Sequence, residues 1–149
     1  MRVYEIVPGL YQSLTPLERD DREFNDQDGK RVDITAVLDL EGTIDPNIPL
    51  EELGDVYVYW PIEDKPKMVD QDTVRATARY ISGLMDAGHR VLIHCHSGLN
   101  RASLLSGRTL IHRGMEPKEA VELIRERRSP DVLSNEVFER WLLEEEPGT

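Results

Sequence analysis

Apolar and polar positions alternate along this chain in two rhythms. Residues 3–7 (VYEIV) read as a short strand, Pro8-Gly9 as a turn, and Leu10-Tyr11-Gln12 as a second strand, so the chain opens with a hairpin. Thr15-Pro16-Leu17 has the form of a helix start, with proline at the first helical position. The charged stretch 18–30 reads as a solvated segment with a short helix ending near Phe24 and a loop over 25–29. Residues 33–40 (DITAVLDL) form a buried strand pattern. The segment 41–54, with Gly42, Pro46, Pro49 and Gly54, reads as loop. Residues 56–60 (VYVYW) are β-branched and aromatic, a further strand that Pro61 ends.

Beyond Pro61 the helical rhythm takes over. Asp70 caps a helix over 71–87, with Val74, Thr77 or Ala78, Ile81 and Leu84 or Met85 as its apolar stripe and Gly88 as its stop. A strand over 89–93 follows, then a helix over 102–113 closed by Gly114. Pro117 opens a helix through 128, with Ala120, Val121 and Ile124 facing inward. A last helix over 135–145 carries Phe138, Trp141 and Leu142 on one face. Strands alternating with helices, then closing helices, predict an α/β fold. The expected architecture is a single domain over 1–149 with a central, mostly parallel sheet of four to five strands flanked by helices. In such sheets ligands bind outside the carboxyl ends of the strands. The stretch after residue 93 and the stretch after Trp60 both lie there.

The first of these stretches is VLIHCHSGLNRAS, residues 91–103. It passes from strand to helix through a short loop that holds the only cysteine, Cys95, then Gly98, then Arg101, with five residues between the cysteine and the arginine. Such a loop aims several backbone N–H groups into one concavity, and the helix N-terminus adds positive charge, so it suits a tetrahedral oxyanion. Gly98 lets the backbone turn. Arg101 offers a planar fork for two phosphate oxygens. Cys95 stands at the mouth, where helix dipole and guanidinium favour the nucleophilic thiolate. The backbone of His96, Ser97, Gly98, Leu99, Asn100 and Arg101 is the expected phosphate cradle. Two plainer readings compete. A lone cysteine in an apolar strand is more often inert packing. His94, Cys95 and His96 suggest a metal site, but consecutive strand residues alternate faces and no second ligand cluster is evident, so no metal is expected.

His94-Cys95-x5-Arg101 resembles the signature loop of the cysteine-dependent protein tyrosine phosphatases, in particular the compact dual-specificity branch. The likeness runs from Pro8-Gly9-Leu10-Tyr11 to the last helix. The resemblance implies hydrolysis of phosphate monoesters through a phosphocysteine intermediate, with no cofactor. Cleavage also needs a proton donor for the leaving oxygen. WPIEDKPK, residues 60–67, resembles the family's acid loop, and Asp64 stands where the family's aspartate commonly stands relative to the cysteine. Glu63 is the close competitor, one residue of register away, and Asp70 the weaker one, since capping already accounts for it. With Cys95 ionised and Asp64 protonated, the expected pH profile is a bell peaking on the order of pH 5 to 6.5. The resemblance gives His94 a role in shaping the loop from behind the cysteine, and Asn135 a role in bracing the loop; an ordinary helix cap also explains Asn135 or Ser134.

One departure stands out. The family usually has serine or threonine directly after the arginine, where its hydroxyl helps the sulfur leave; here the residue is Ala102. Ser103 follows, but one helical residue turns a side chain by about 100 degrees, so a slow second step is expected unless Ser97 or Ser103 compensates.

Charge and composition narrow the partners. Hydrophobic residues are 39% and charged residues 32% of 149, as in ordinary globular proteins. No run of about 20 apolar residues exists, and MRVYEIVPG lacks a signal peptide's apolar core, so neither membrane nor export is expected. A single cysteine fits a reducing cytoplasm. A net charge of −11 disfavours nucleic acid and anionic membranes as partners. The expected partner is a phosphorylated protein or peptide. His96, Ser97, Leu99 and Asn100 include no lysine or arginine, which favours phosphotyrosine over phosphoinositide or RNA, with phosphoserine and phosphothreonine open. Two other classes stay in view: a phospho-ligand binding module with weak turnover, and a rhodanese-like sulfurtransferase, which would not need Asp64.

Overall fold

The computed structural model describes residues 1–14, 23–41 and 56–149. Its main sheet contains β1 (Tyr4–Val7), β2 (Leu10–Leu14), β5 (Ala36–Asp39), β6 (Val56–Tyr59) and β7 (Val91–Cys95), in the order β1-β2-β7-β5-β6. Only the β1–β2 hairpin is antiparallel; β2–β7, β7–β5 and β5–β6 are parallel. The mostly parallel α/β sheet expected from the sequence is therefore present, with five strands. Among the described residues four helices follow from the same patterns: α1 (Gln71–Asp86), α2 (Arg101–His112), α3 (Pro117–Arg127) and α4 (Glu136–Leu143).

Strand side chains alternate between two cores. Val91, Ile93 and Cys95 of β7, with Ala36 and Leu38 of β5, pack against residues from all four helices. Leu92 and Val37 face the other way, with Val3, Tyr11, Val32 and Ile34. His94 and Asp39, paired in register, share that second face, so His94 points away from the side on which Cys95 lies. α2 is the central helix: every residue from Ala102 to Ile111 is buried. It can approach α4 closely because residue 107 is glycine; a Cβ there would stand 3.0 Å from Leu142 Cδ1.

The helix signals resolve as predicted. Asp70 caps α1, its Oδ1 accepting from Thr73 N at 3.2 Å, and Val74, Ala78, Ile81 and Leu84 are buried. Pro117 opens α3 over buried Ala120, Val121 and Ile124. Phe138, Trp141 and Leu142 form the buried face of α4.

Phe24 corrects the expectation of a helix ending there. Phe24–Asn25 is a strand, β3, paired antiparallel with β4 (Arg31–Val32). Long-range bonds override the local charged pattern: Val3 N donates to Asn25 O and Asn25 N to Met1 O, both at 2.9 Å. Asp26 closes the turn, accepting from Asp28 N and Lys30 N at 2.9 Å each. The expected helix start at Thr15-Pro16-Leu17 and the loop over 42–54 lie outside the described residues.

Candidate active site

β7 runs to Cys95 and α2 starts at Arg101, leaving residues 96–100 as the connecting loop. Four successive carbonyls of this loop are tied to the surrounding protein. Ser97 O accepts from Arg128 Nη2 at 2.8 Å, Gly98 O from Gln12 Nε2 at 3.3 Å, Leu99 O from Leu133 N at 3.1 Å, and Asn100 O from Leu104 N at 2.9 Å. In a trans peptide the N–H points opposite to the C=O. The N–H groups of Gly98, Leu99, Asn100 and Arg101 are thus turned away from these anchors, into the loop's concavity. Asn100, at the N-cap of α2, makes no side-chain cap bond, which leaves the helix's first N–H groups to the concavity as well. Gly98 has φ of +70°, and a Cβ on it would stand 2.4 Å from Ser13 O, so the loop can press against the end of β2 only with glycine there.

Cys95 is not at the mouth, as the sequence suggested. It is the last residue of β7 and only 1% exposed, on the floor of the loop. Arg101 is gripped from behind: Nη1 donates to Ile62 O at 2.9 Å and sits 3.5 Å from Leu40 O, while Nη2 lies 3.7 Å from Glu41 Oε2. Its Nε is buried and has no hydrogen-bond partner among the described residues. A buried charged donor left unpaired is costly, and an anion in the loop would satisfy it.

Asp64 reaches the same rim from the segment after β6. Its Oδ2 accepts from Asn100 Nδ2 and its Oδ1 from Asn135 Nδ2, both at 2.9 Å. Glu63 instead pairs with Lys65 at 3.1 Å, both side chains mostly in solvent. A groove of about 390 Å³ runs beside Asp64, lined in part by Lys65, Asn100, Ser134, Asn135 and Arg140.

A family model described as the dual specificity phosphatase catalytic domain matches residues 21–147. The chain belongs to this family. The mouse protein tyrosine phosphatase type IVA 3 is 30% identical over 115 residues, covering 74% of this chain and 65% of that protein, so the chain spans less than two thirds of the relative's length. The structure of Tk-PTP in its active form superposes with a TM-score of 0.74 at 23% identity, covering 95% of this chain and 96% of the other. Human tyrosine phosphatase-like serine/threonine/tyrosine-interacting protein superposes at 0.72 and 23% identity, covering 96% and 94%. At these identities the structures show a shared fold.

Within this dual-specificity phosphatase family domain, most sequence-selected residues converge. Asp64, Asn100 and Asn135 meet at the rim, Arg101 is tied to the same segment as Asp64 through Ile62 O, and Cys95 lies below them on the floor of the loop. His96 and Ser97 are exposed at the loop's outer turn and Leu99 packs on the core. His94 is buried behind the strand with Nε2 3.9 Å from Asp39 Oδ1, beyond hydrogen-bond reach, and burial holds its pKa below the ordinary value. Its Nδ1 has no partner among the described residues. Asp39 is engaged by the Tyr57 hydroxyl and by Glu41 N, and burial followed by that carboxylate drives the Tyr57 pKa up. Ser103 is buried and its hydroxyl accepts from Gln12 Nε2 at 3.0 Å. Sequence reasoning missed Glu41, Gln12 and Arg128. Glu41 could have been suspected, since it lies two residues beyond a strand that ends at the same rim. Gln12 and Arg128 carry no local signal.

No helix among the described residues is long and apolar enough to cross a membrane.

Proposed function

We propose that residues 1–149 act as one catalytic domain, a metal-independent cytoplasmic phosphatase of phosphorylated proteins or peptides. Phosphotyrosine is the favoured ester, with phosphoserine and phosphothreonine as further substrates. The observation that carries this reading is the convergence on one rim of an anion cradle, a nucleophile on its floor and a held carboxyl above it. The cysteine thiolate attacks phosphorus in line, forming the S–P bond. The loop N–H groups and Arg101 hold the equatorial oxygens, with the unpaired Nε completing the fork. Asp64 gives its proton to the leaving oxygen as the P–O bond breaks. Water then attacks the phosphocysteine, returning a proton to Asp64 and freeing the thiolate and phosphate.

The two amides on Asp64 support it over Glu63 as the acid, since Glu63 is turned to solvent against Lys65. They also weigh against a sulfurtransferase, which has no use for a positioned carboxyl. Ala102 brings no hydroxyl to the sulfur, which favours a slow second step. Type IVA relatives carry a tyrosine phosphatase name, in keeping with the proposed ester.

The test compares Asp64→Ala and Glu63→Ala on an aryl phosphate in EDTA across pH. Asp64→Ala is expected to lose on the order of 10²-fold or more in rate and the basic limb of the bell, with Glu63→Ala close to wild type. The reverse pattern would move the acid to Glu63, and no loss in either would remove general acid catalysis from the account.

A further inference from the structure

We propose that Asn100 is a positioning residue that latches the acid loop onto the phosphate loop, holding Asp64 over the site before substrate arrives. This rests on the phosphatase reading above. An asparagine at a helix N-cap ordinarily turns its side chain onto its own helix. Asn100 does not. Its Nδ2 instead crosses to Asp64 Oδ2 at 2.9 Å and to Ser134 Oγ at 3.2 Å. Its Oδ1 accepts from Asn135 N at 3.0 Å. Asn135 completes the grip: Nδ2 donates to Asp64 Oδ1 at 2.9 Å and to Lys65 O at 2.8 Å, while Oδ1 caps α4 through Phe138 N.

The acid loop needs such a hold. Residues 61–69 contain no helix or strand, and Asp64 is exposed. Two consecutive residues of the phosphate loop seize it at two points, Arg101 at Ile62 O and Asn100 at the Asp64 carboxyl. The site is thereby assembled by side chains that the cradle itself supplies, so orientation of the acid costs little at the moment of reaction. The arrangement also tolerates proton transfer. A protonated carboxyl oxygen donates to the leaving group rather than accepting, so one amide lets go while the other keeps the carboxyl in place.

The experiment measures single-turnover rates on aryl phosphates of graded leaving-group acidity for wild type, Asn100→Ala, Asp64→Ala and the double variant. Loss of the latch makes the Asn100→Ala deficit grow as the leaving group worsens, reaching on the order of 10- to 100-fold for the poorest phenol. In the Asp64→Ala background the same substitution is expected to change rates by less than about twofold, because the two act as one unit. Vanadate binding reports whether the cradle survives; should Asn100→Ala lose it, Asn100→Ser, which supplies a hydroxyl able to cap α2 but cannot span to Asp64, takes its place. An equal deficit at every leaving group, or an undiminished deficit without Asp64, overturns the latch while leaving the phosphatase reading intact. A wild type inert on every ester overturns both.

Discussion

Gly98→Ala puts the geometry of the cradle to a quantitative test. The residue sits at φ +70°, where an alanine pays roughly 1–2 kcal/mol of backbone strain. Its new Cβ would stand 2.4 Å from Ser13 O, 2.6 Å from Ser13 C and 3.0 Å from Leu14 N. The gap to the oxygen must open by about 0.6 Å merely to reach 3.0 Å, and the obstacle is backbone, which cannot swing aside like a side-chain tip. Ser13 and Leu14 are paired in register with His94 and Cys95, so moving them pulls on the strand that carries the nucleophile. Overpacking of this kind costs about 1–3 kcal/mol, giving a total of about 2–5 kcal/mol if the fold absorbs it. If the loop slides away instead, stability is spared and oxyanion binding is lost. Gly29→Ala is the comparator, with φ +79° and nothing within 4 Å of the new Cβ, so it reports backbone strain alone. Urea unfolding and vanadate binding are measured on both. The expected result is a Gly98→Ala protein that is either less stable than Gly29→Ala by at least about 1 kcal/mol or at least tenfold weaker for vanadate. Gly98→Ala matching Gly29→Ala in stability and wild type in vanadate affinity would refute the close approach to β2.

Other consequences follow from the same geometry. Ala102→Ser restores a hydroxyl beside the sulfur and is expected to raise the rate of phosphoenzyme hydrolysis on the order of tenfold, read as a shrinking burst in rapid-mix kinetics; an unchanged burst would count against a slow second step. Gln12→Leu removes the donor to Gly98 O and Ser103 Oγ but also a buried amide oxygen with no partner among the described residues, so it should cost at most about 1.5 kcal/mol of stability while weakening vanadate binding severalfold; equal vanadate affinity would release the Gly98 carbonyl from its assigned role. Stability should fall with acid in two stages. Burial lowers the His94 pKa from 6.5, so below that pH the unfolded chain binds a proton the folded one refuses, and stability declines as pH drops. The Arg75 hydrogen bond, followed by that of Arg108, lowers the Glu145 pKa from 4.5, a contribution present above 4.5 and lost as pH falls through the folded value. Glu145→Gln should flatten the second stage and leave the first; a curve unchanged below pH 4.5 would contradict the assignment.

What the sequence made legible was what is local. Cysteine, glycine and arginine fall within seven residues at a strand-to-helix switch, α1 and α4 carry their own capping side chains, α3 its opening proline, and all three an apolar stripe. Asp64 could be nominated because it follows a strand ending on the same rim. The rest depends on contacts between distant parts of the chain. β3 and β4 are two-residue strands, β3 held by Met1 and Val3 and β4 by β3, with no periodicity of their own to read. The outward ties of the loop carbonyls come from Gln12, Arg128 and Leu133, none of which is near the loop in sequence. Glu41 behind Arg101 stands in the sequence only as the first residue of a loop segment. The sequence marks Asn100 only as part of the cradle, because nothing in the order of residues shows that Asp64 and Asn135 meet each other and its side-chain amide. Cys95 looked like a residue at the mouth because the motif marks chemistry, whereas its depth is set by β7 continuing to the cysteine itself.

The central claim is that a thiolate at Cys95 takes the phosphoryl group. The most direct measurement is to quench wild type and Cys95→Ser in acid milliseconds after mixing with a phosphotyrosine peptide in EDTA, then locate bound phosphate by mass spectrometry of the digest. The account predicts phosphate on the Cys95 peptide of the wild type, turning over with release of inorganic phosphate, and neither label nor turnover in Cys95→Ser. Metal-independent turnover that persists in Cys95→Ser, or tight peptide binding by both proteins with no transfer, would contradict it.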